Sequence, residues 1–178
     1  MPFFNRSCKP NVTKPMKKTL ILVRHAKSDW SINGQKDFDR TLNERGHSDA
    51  PRMGNKFASM RIMPDAIISS PAERAKLTAE YFAEQLKLDT QKTIFNANIY
   101  DASVRVLMNE INALENSYNT VMVFGHNPGL SYFAEYATKA EIGEMPTCAI
   151  IGISFEIDSW QMVSQGMGKV DFFTYPEN

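Results

Sequence analysis

"TLILVRHAKSDW", residues 19–30, is the stretch on which the reading of the fold turns. Leu20, Ile21, Leu22 and Val23 form an unbroken apolar run, the pattern of a short strand buried on both faces. The run stops at Arg24-His25, two residues that a sheet interior would not choose. A buried strand that ends on two hydrogen-bonding side chains implies that a pocket begins there.

Working outward from this strand, strand-like and helix-like segments alternate. "TLNERGHSDAPRMGNKFASM" (41–60) carries Leu42, Met53, Phe57 and Met60 at mainly helical spacing. Thr41 and Glu44 have the spacing of a capping box, and Pro51 is expected to kink the helix or break its first part. "DAIISS" (65–70) reads as a buried strand running into "SPAERAKLTAEYFAEQL" (70–86). There Ser70 as cap, Pro71 at the first position and Glu73 just after mark a helix start. A short strand is expected near Ile94-Phe95, then a helix capped by Asp101 and running to about Leu114. "TVMVFGH" (120–126) is a further strand closing on a histidine, and Asn127-Pro128 opens the next helix. "CAIIGISFEI" (148–157) and "WQMVSQ" (160–165) read as a hairpin around Asp158-Ser159. The alternation implies an α/β protein, a three-layer α/β/α sandwich with a mainly parallel central sheet.

A chain of 178 residues suits a single domain, assigned to 18–178, burying about 70% of its unfolded surface. Residues 1–17, with Pro2, Pro10 and Pro15 and no apolar pattern, read as a flexible N-terminal tail. Twenty basic residues balance twenty acidic ones, so neither nucleic acid nor an acidic membrane is a general partner. Any anion must be bound locally. Two cysteines are too few for a disulfide framework, which points to a reducing compartment, with the cytoplasm as the default. No stretch approaches the roughly 18 apolar residues of a membrane span.

Ligands of such sheets bind outside the carboxyl ends of the strands. Three of the expected strands deliver chemistry there. The first ends in Arg24-His25, the second leads through Ser69-Ser70 to a helix carrying Arg74 in its first turn, and the fourth ends in Gly125-His126. As parallel neighbours they would gather Arg24, His25, Arg74 and His126 at one edge, beside helix N-termini that favour an anion. Each residue alone has a plainer reading. An arginine at a strand end is usually solvated or salt-bridged, a lone histidine is more often structural, and Arg74 could pair with Glu73. The coincidence of all four at one edge favours an anion-binding pocket. His47 does not share that placement and reads as an exposed helix residue. No glycine-rich phosphate loop, H-E-x-x-H or cysteine pair occurs, so neither a metal nor a cofactor is expected. "GHNPG" lacks the serine of a nucleophile elbow.

Taken together, "LVRHAKSDW", "FDRTLNERG", "SSPAERAKLTAE" and "VFGHNPGL" resemble the motifs of the histidine phosphatase superfamily, and within it the SixA-type phosphohistidine phosphatase branch. The resemblance runs from about Lys18 to Ile157 and implies a phosphoglycerate mutase-like fold. It also implies that His25 is a nucleophile forming a phosphohistidine intermediate, with Arg24, Arg74 and His126 around the phosphoryl oxygens. Ala26 stands where the wider superfamily commonly has glycine, and Lys27 where glutamate is frequent. Ser31 replaces an asparagine of the mutase branch, which argues against a sugar-phosphate mutase. Asn127 replaces the aspartate of the superfamily's acid phosphatases, leaving Asp29 and Asp101 as candidate proton donors by location. The expected activity is a metal-independent phosphatase acting on phosphohistidine, on a protein partner rather than a small phosphate ester. A phospho-ligand binding module without turnover, or a small-molecule phosphomonoesterase, is the alternative.

Overall fold

The structure, a computed structural model, describes residues 17–177. The expected tail therefore lies outside the described residues except for Lys17, which opens the first strand. The strands are β1 (Lys17–Arg24), β2 (Ala66–Ser69), β3 (Ile94–Phe95), β4 (Thr120–Gly125), β5 (Ile150–Glu156) and β6 (Lys169–Thr174). They form one sheet in the order β3-β2-β4-β1-β5-β6. The first four of that order are mutually parallel, while β5 runs antiparallel to β1, and β6 antiparallel to β5. The helices are α1 (Glu44–Ser59), α2 (Glu73–Gln85), α3 (Val104–Asn112) and α4 (Gly129–Thr138). The expected sandwich with a mainly parallel sheet is the architecture found.

Alternation along the strands decides the layering. Ile21 and Val23 of β1 pack with Ala50, Met53 and Phe57 of α1 and with Ala79, Phe82 and Ala83 of α2. Leu20 and Leu22 face the opposite layer, where Leu107 and Ile111 of α3 meet Leu130, Phe133 and Ala134 of α4. Both faces of β1 are covered, which is why its apolar run is continuous. Each large side chain buried in these layers contributes about 1.5–3 kcal/mol. Lys18 is fully buried at the start of β1, its Nζ donating to the Asn116 and Tyr118 carbonyls and to Asn119 Oδ1 at 2.7, 2.9 and 3.0 Å. Among the described residues, no helix is long and apolar enough to cross a membrane.

Several local expectations need correction. The segment after β5 is not the second arm of a hairpin: Trp160–Met162 form a 3-10 turn, and β6 is "KVDFFT" further on. Trp160 is buried and donates from Nε1 to the Tyr118 carbonyl at 2.8 Å, which seats the turn against the loop before β4. The true partner strand is masked in the sequence because its alternation is broken. A register shift at Gly152/Ile153 lets Phe172 pack toward α1 while Val170 and Phe173 pack on the other face. The cap of α1 is Asn43, whose side chain accepts from the Gly46 N–H at 2.9 Å, not Thr41 with Glu44, and the helix continues through Pro51. Helix α3 is capped by Ser103 rather than Asp101. Helix α2 begins at Glu73 with Ala72 as its cap residue and no side-chain cap; Ser70 lies two residues before that position, its Oγ accepting from the Ala72 N–H at 3.3 Å.

Register places the site. Arg24 pairs with Gly125 across β1 and β4, and Ser69 pairs with Phe124 across β2 and β4. The ladders continue one step, with the His25 N–H donating to the Gly125 carbonyl and the Ser70 N–H to the Phe124 carbonyl. His25, Ser70 and His126 therefore leave the sheet side by side.

Candidate active site

At the carboxyl edge of β2, β4 and β1 lies a cavity of about 480 Å³ lined by Arg24, His25, Arg74 and His126, the four residues picked out in the sequence. His25 and His126 are 8% and 7% exposed, with ring centroids 5.1 Å apart. His25 Nδ1 lies 2.8 Å from the Ala26 carbonyl oxygen, which can only accept, so Nδ1 carries the proton and Nε2 keeps its lone pair. The Arg74 Nε–H points at that Nε2 from 3.3 Å. Behind the pair, Thr78 locks the backbone, its Oγ1 accepting from the Ala26 N–H at 3.0 Å and donating to the Arg74 carbonyl at 2.6 Å.

His126 is held from the neighbouring strand end. Its Nε2 is 2.8 Å from Ser70 Oγ, while its buried Nδ1 has no hydrogen-bond partner. With the Ser70 hydroxyl donating to Nε2, Nδ1–H is left as a free donor. Burial lowers both histidines from 6.5 to about 3, with the Arg74 charge the next contribution for His126. Both rings are neutral at physiological pH. Arg24 donates from Nη1 to the Met145 carbonyl at 2.6 Å and pairs with the exposed Glu144 at 3.1 Å, leaving its buried Nε without a hydrogen-bond partner. Unsatisfied buried donors cost stability, and two of them on residues that line one cavity suit an anionic ligand.

The loop between β1 and α1 adds residues that the sequence reading did not single out. Arg40 is 5% exposed, donates to Ser28 Oγ and stacks under the exposed Trp30 ring, 3.3 Å from its centroid. Asp37 bridges Arg74, Arg40 and Tyr100. Arg40 belongs to the quoted "FDRTLNERG" stretch, so the signal was present, but nothing in its spacing says that it is buried beside the site. Arg74 pairs with Asp37 and not with Glu73, which faces Lys76 at 3.9 Å. Of the two candidate acids, Asp101 lines the cavity and Asp29 does not. The Asp29 carboxylate accepts from the Ser31 N–H and hydroxyl at 2.8 and 2.9 Å, and these bonds hold it below the usual carboxylate range. His47 is exposed on α1, its Nδ1 2.9 Å from the Tyr81 hydroxyl.

The profile of the histidine phosphatase superfamily (branch 1) matches residues 20–94. A crystal structure of the provisionally assigned phosphohistidine phosphatase SixA from Agrobacterium tumefaciens superposes with a TM-score of 0.75 at 26% identity, covering 90% of this chain and 99% of that one. Residues 20–94 carry the match to the histidine phosphatase superfamily, and the chain as a whole resembles a SixA-type structure. Its likeness there is to the SixA type, on the phosphoglycerate mutase-like fold. The protein histidine phosphatase SixA complexed with tungstate shares that fold, with a TM-score of 0.75 at 21% identity over 88% of this chain and 96% of that one. An uncharacterized chloroplastic protein of Arabidopsis thaliana is 28% identical over 152 residues, 81% of this chain and 69% of that protein. The 2,3-bisphosphoglycerate-dependent phosphoglycerate mutase of Bartonella tribocorum is 36% identical, but over only 40% of this chain and 35% of the mutase. The relatives matched on this fold include both phosphatases and mutases.

Proposed function

We propose that this chain is a histidine phosphatase that cleaves phosphohistidine carried on a protein, through a phosphoryl intermediate on His25 and without a metal ion. The observation that carries the reading is the state of His25: Nδ1 is held by the Ala26 carbonyl, Nε2 is unprotonated, and burial keeps the ring neutral above about pH 3. In the first step the Nε2–P bond forms as the bond from phosphorus to the leaving nitrogen breaks. In the second, water attacks phosphorus, the Nε2–P bond breaks, and inorganic phosphate leaves with His25 restored. Arg24, Arg74 and the Nδ1–H of His126 stabilise the charge on the equatorial oxygens.

The leaving group argues for the substrate. An alkoxide has a conjugate acid with a pKa of about 15 and needs a proton as it departs. Imidazole leaving from a protonated phosphohistidine has a conjugate acid near ~6.5 and departs neutral with little help. Asp29 is occupied by Ser31 and off the cavity, and Asp101 is exposed at its lining, so neither sits as a buried acid beside the phosphoryl site. The test is kcat/KM for a phosphohistidine peptide, a phosphoserine peptide and a sugar phosphate, with acid-labile phosphate measured on wild type and His25→Ala. Preference for phosphohistidine and loss of the labelled intermediate in His25→Ala are expected. Preference for an alkyl ester would favour a small-molecule phosphomonoesterase. Binding without a single turnover would favour a phospho-ligand module.

A further inference from the structure

Asp37 opens a short 3-10 turn, Asp37–Asp39, in the loop between β1 and α1, with its side chain half exposed. Its contacts converge on the site. Arg74 donates from Nη2 to Oδ2 at 2.8 Å and from Nη1 to the Asp37 backbone carbonyl at 2.5 Å. The Tyr100 hydroxyl donates to the same Oδ2 at 2.8 Å, and Oδ1 lies 3.3 Å from Arg40 Nη1. A guanidinium is a rigid plane, so fixing two nitrogens fixes the third. The third is Nε, the atom facing His25 Nε2.

Charge gives Asp37 a second effect. The cavity lining carries Arg24, Lys27, Arg40 and Arg74 against Asp37 and Asp101. Four cations draw in a phosphoryl group, and they also retain the phosphate released by hydrolysis. Asp37 touches two of the four.

We propose that Asp37 is a positioning residue whose carboxylate and carbonyl aim Arg74 at His25, and whose negative charge keeps the pocket's hold on oxyanions weak enough for product to leave. The proposal rests on reading the site as a phosphatase centre.

Asp37→Asn keeps an acceptor oxygen and the side-chain shape while removing the charge. Inorganic phosphate and vanadate should bind the full-length variant roughly tenfold more tightly by calorimetry, because a repelling unit charge a few ångströms away is gone. At the same time kcat should fall by up to about tenfold, because phosphate held more tightly leaves more slowly. Asp37→Glu retains the charge and displaces it, so anion affinity should stay within about twofold while kcat falls. Weaker oxyanion binding together with lower kcat in Asp37→Asn is the signature of structural damage alone, and would overturn the proposal. Unchanged affinity and unchanged kcat would overturn it as well. A wild-type protein that neither binds vanadate nor turns over any phosphorylated substrate would instead remove the phosphatase reading beneath it.

Discussion

Acidification should destabilise this protein at a higher pH than its carboxylates require. His25 and His126 are both buried, and burial carries each from 6.5 to about 3 in the folded chain. In the unfolded chain they protonate near 6.5. Between those values the unfolded state binds more protons, so stability falls as pH falls. At pH 5 each histidine costs about 2 kcal/mol, and the pair about 4 kcal/mol, a large share of a typical ~5–15 kcal/mol. Above about pH 5 most carboxylates remain ionised, so the window isolates the histidines. Urea unfolding followed by circular dichroism, at several values from about pH 7.5 to about 5, measures the slope. Replacing both histidines by asparagine should flatten it. Equal wild-type stability at neutral pH and at pH 5, or a slope that survives in the double variant, would refute the argument that both rings are buried neutral.

Three further outcomes follow from the site. Arg24→Ala, Arg74→Ala and His126→Ala should each lower kcat by about 10²–10³, and steady-state kinetics on the preferred substrate checks this. Activity should persist in excess chelator and be inhibited by vanadate or tungstate; loss on chelation that a divalent ion restores would mean that the site is misread. Gly46→Ala drives a methyl group into the Lys27 carbonyl oxygen, two residues past His25. It should cost about 1–3 kcal/mol in a denaturant melt, since the obstructing atom is backbone and cannot swing aside.

The parallel core was legible because each central strand is a short apolar run covered on both faces, as Leu20 to Val23 and Val121 to Phe124 are. Arg24, His25 and His126 were legible for the same reason, since polar side chains that end such runs must sit at the sheet edge. Arg74 was readable as a first-turn helix residue, but its partner Asp37 was not. That partner comes from a loop whose path is set by tertiary contacts, such as the stacking of Arg40 on Trp30, and not by any periodicity. Ser70 reads as a helix cap because a serine before proline often is one, but the helix opens three residues later, and the Ser70 hydroxyl joins the Ala72 N–H to the His126 ring. The β6 strand stayed hidden because a bulge destroys the alternation by which strands are recognised.

The three strand ends that meet at the cavity are neighbours in space and strangers in sequence: His25 and Arg74 are 49 residues apart, Ser70 and His126 56. Parallel pairing over such separations is a slow, late event in folding, because the loop entropy is spent before the contacts form. No fragment holding a single strand–helix unit can carry a remnant of the site. Oxyanion binding is thus a reporter of the finished sheet. Saturating phosphate, at about 100 times its dissociation constant, should add roughly 2.7 kcal/mol to global stability. In hydrogen exchange that gain should spread across β1, β2 and β4 together, raising the protection of amides far from the bound ion as much as those beside it.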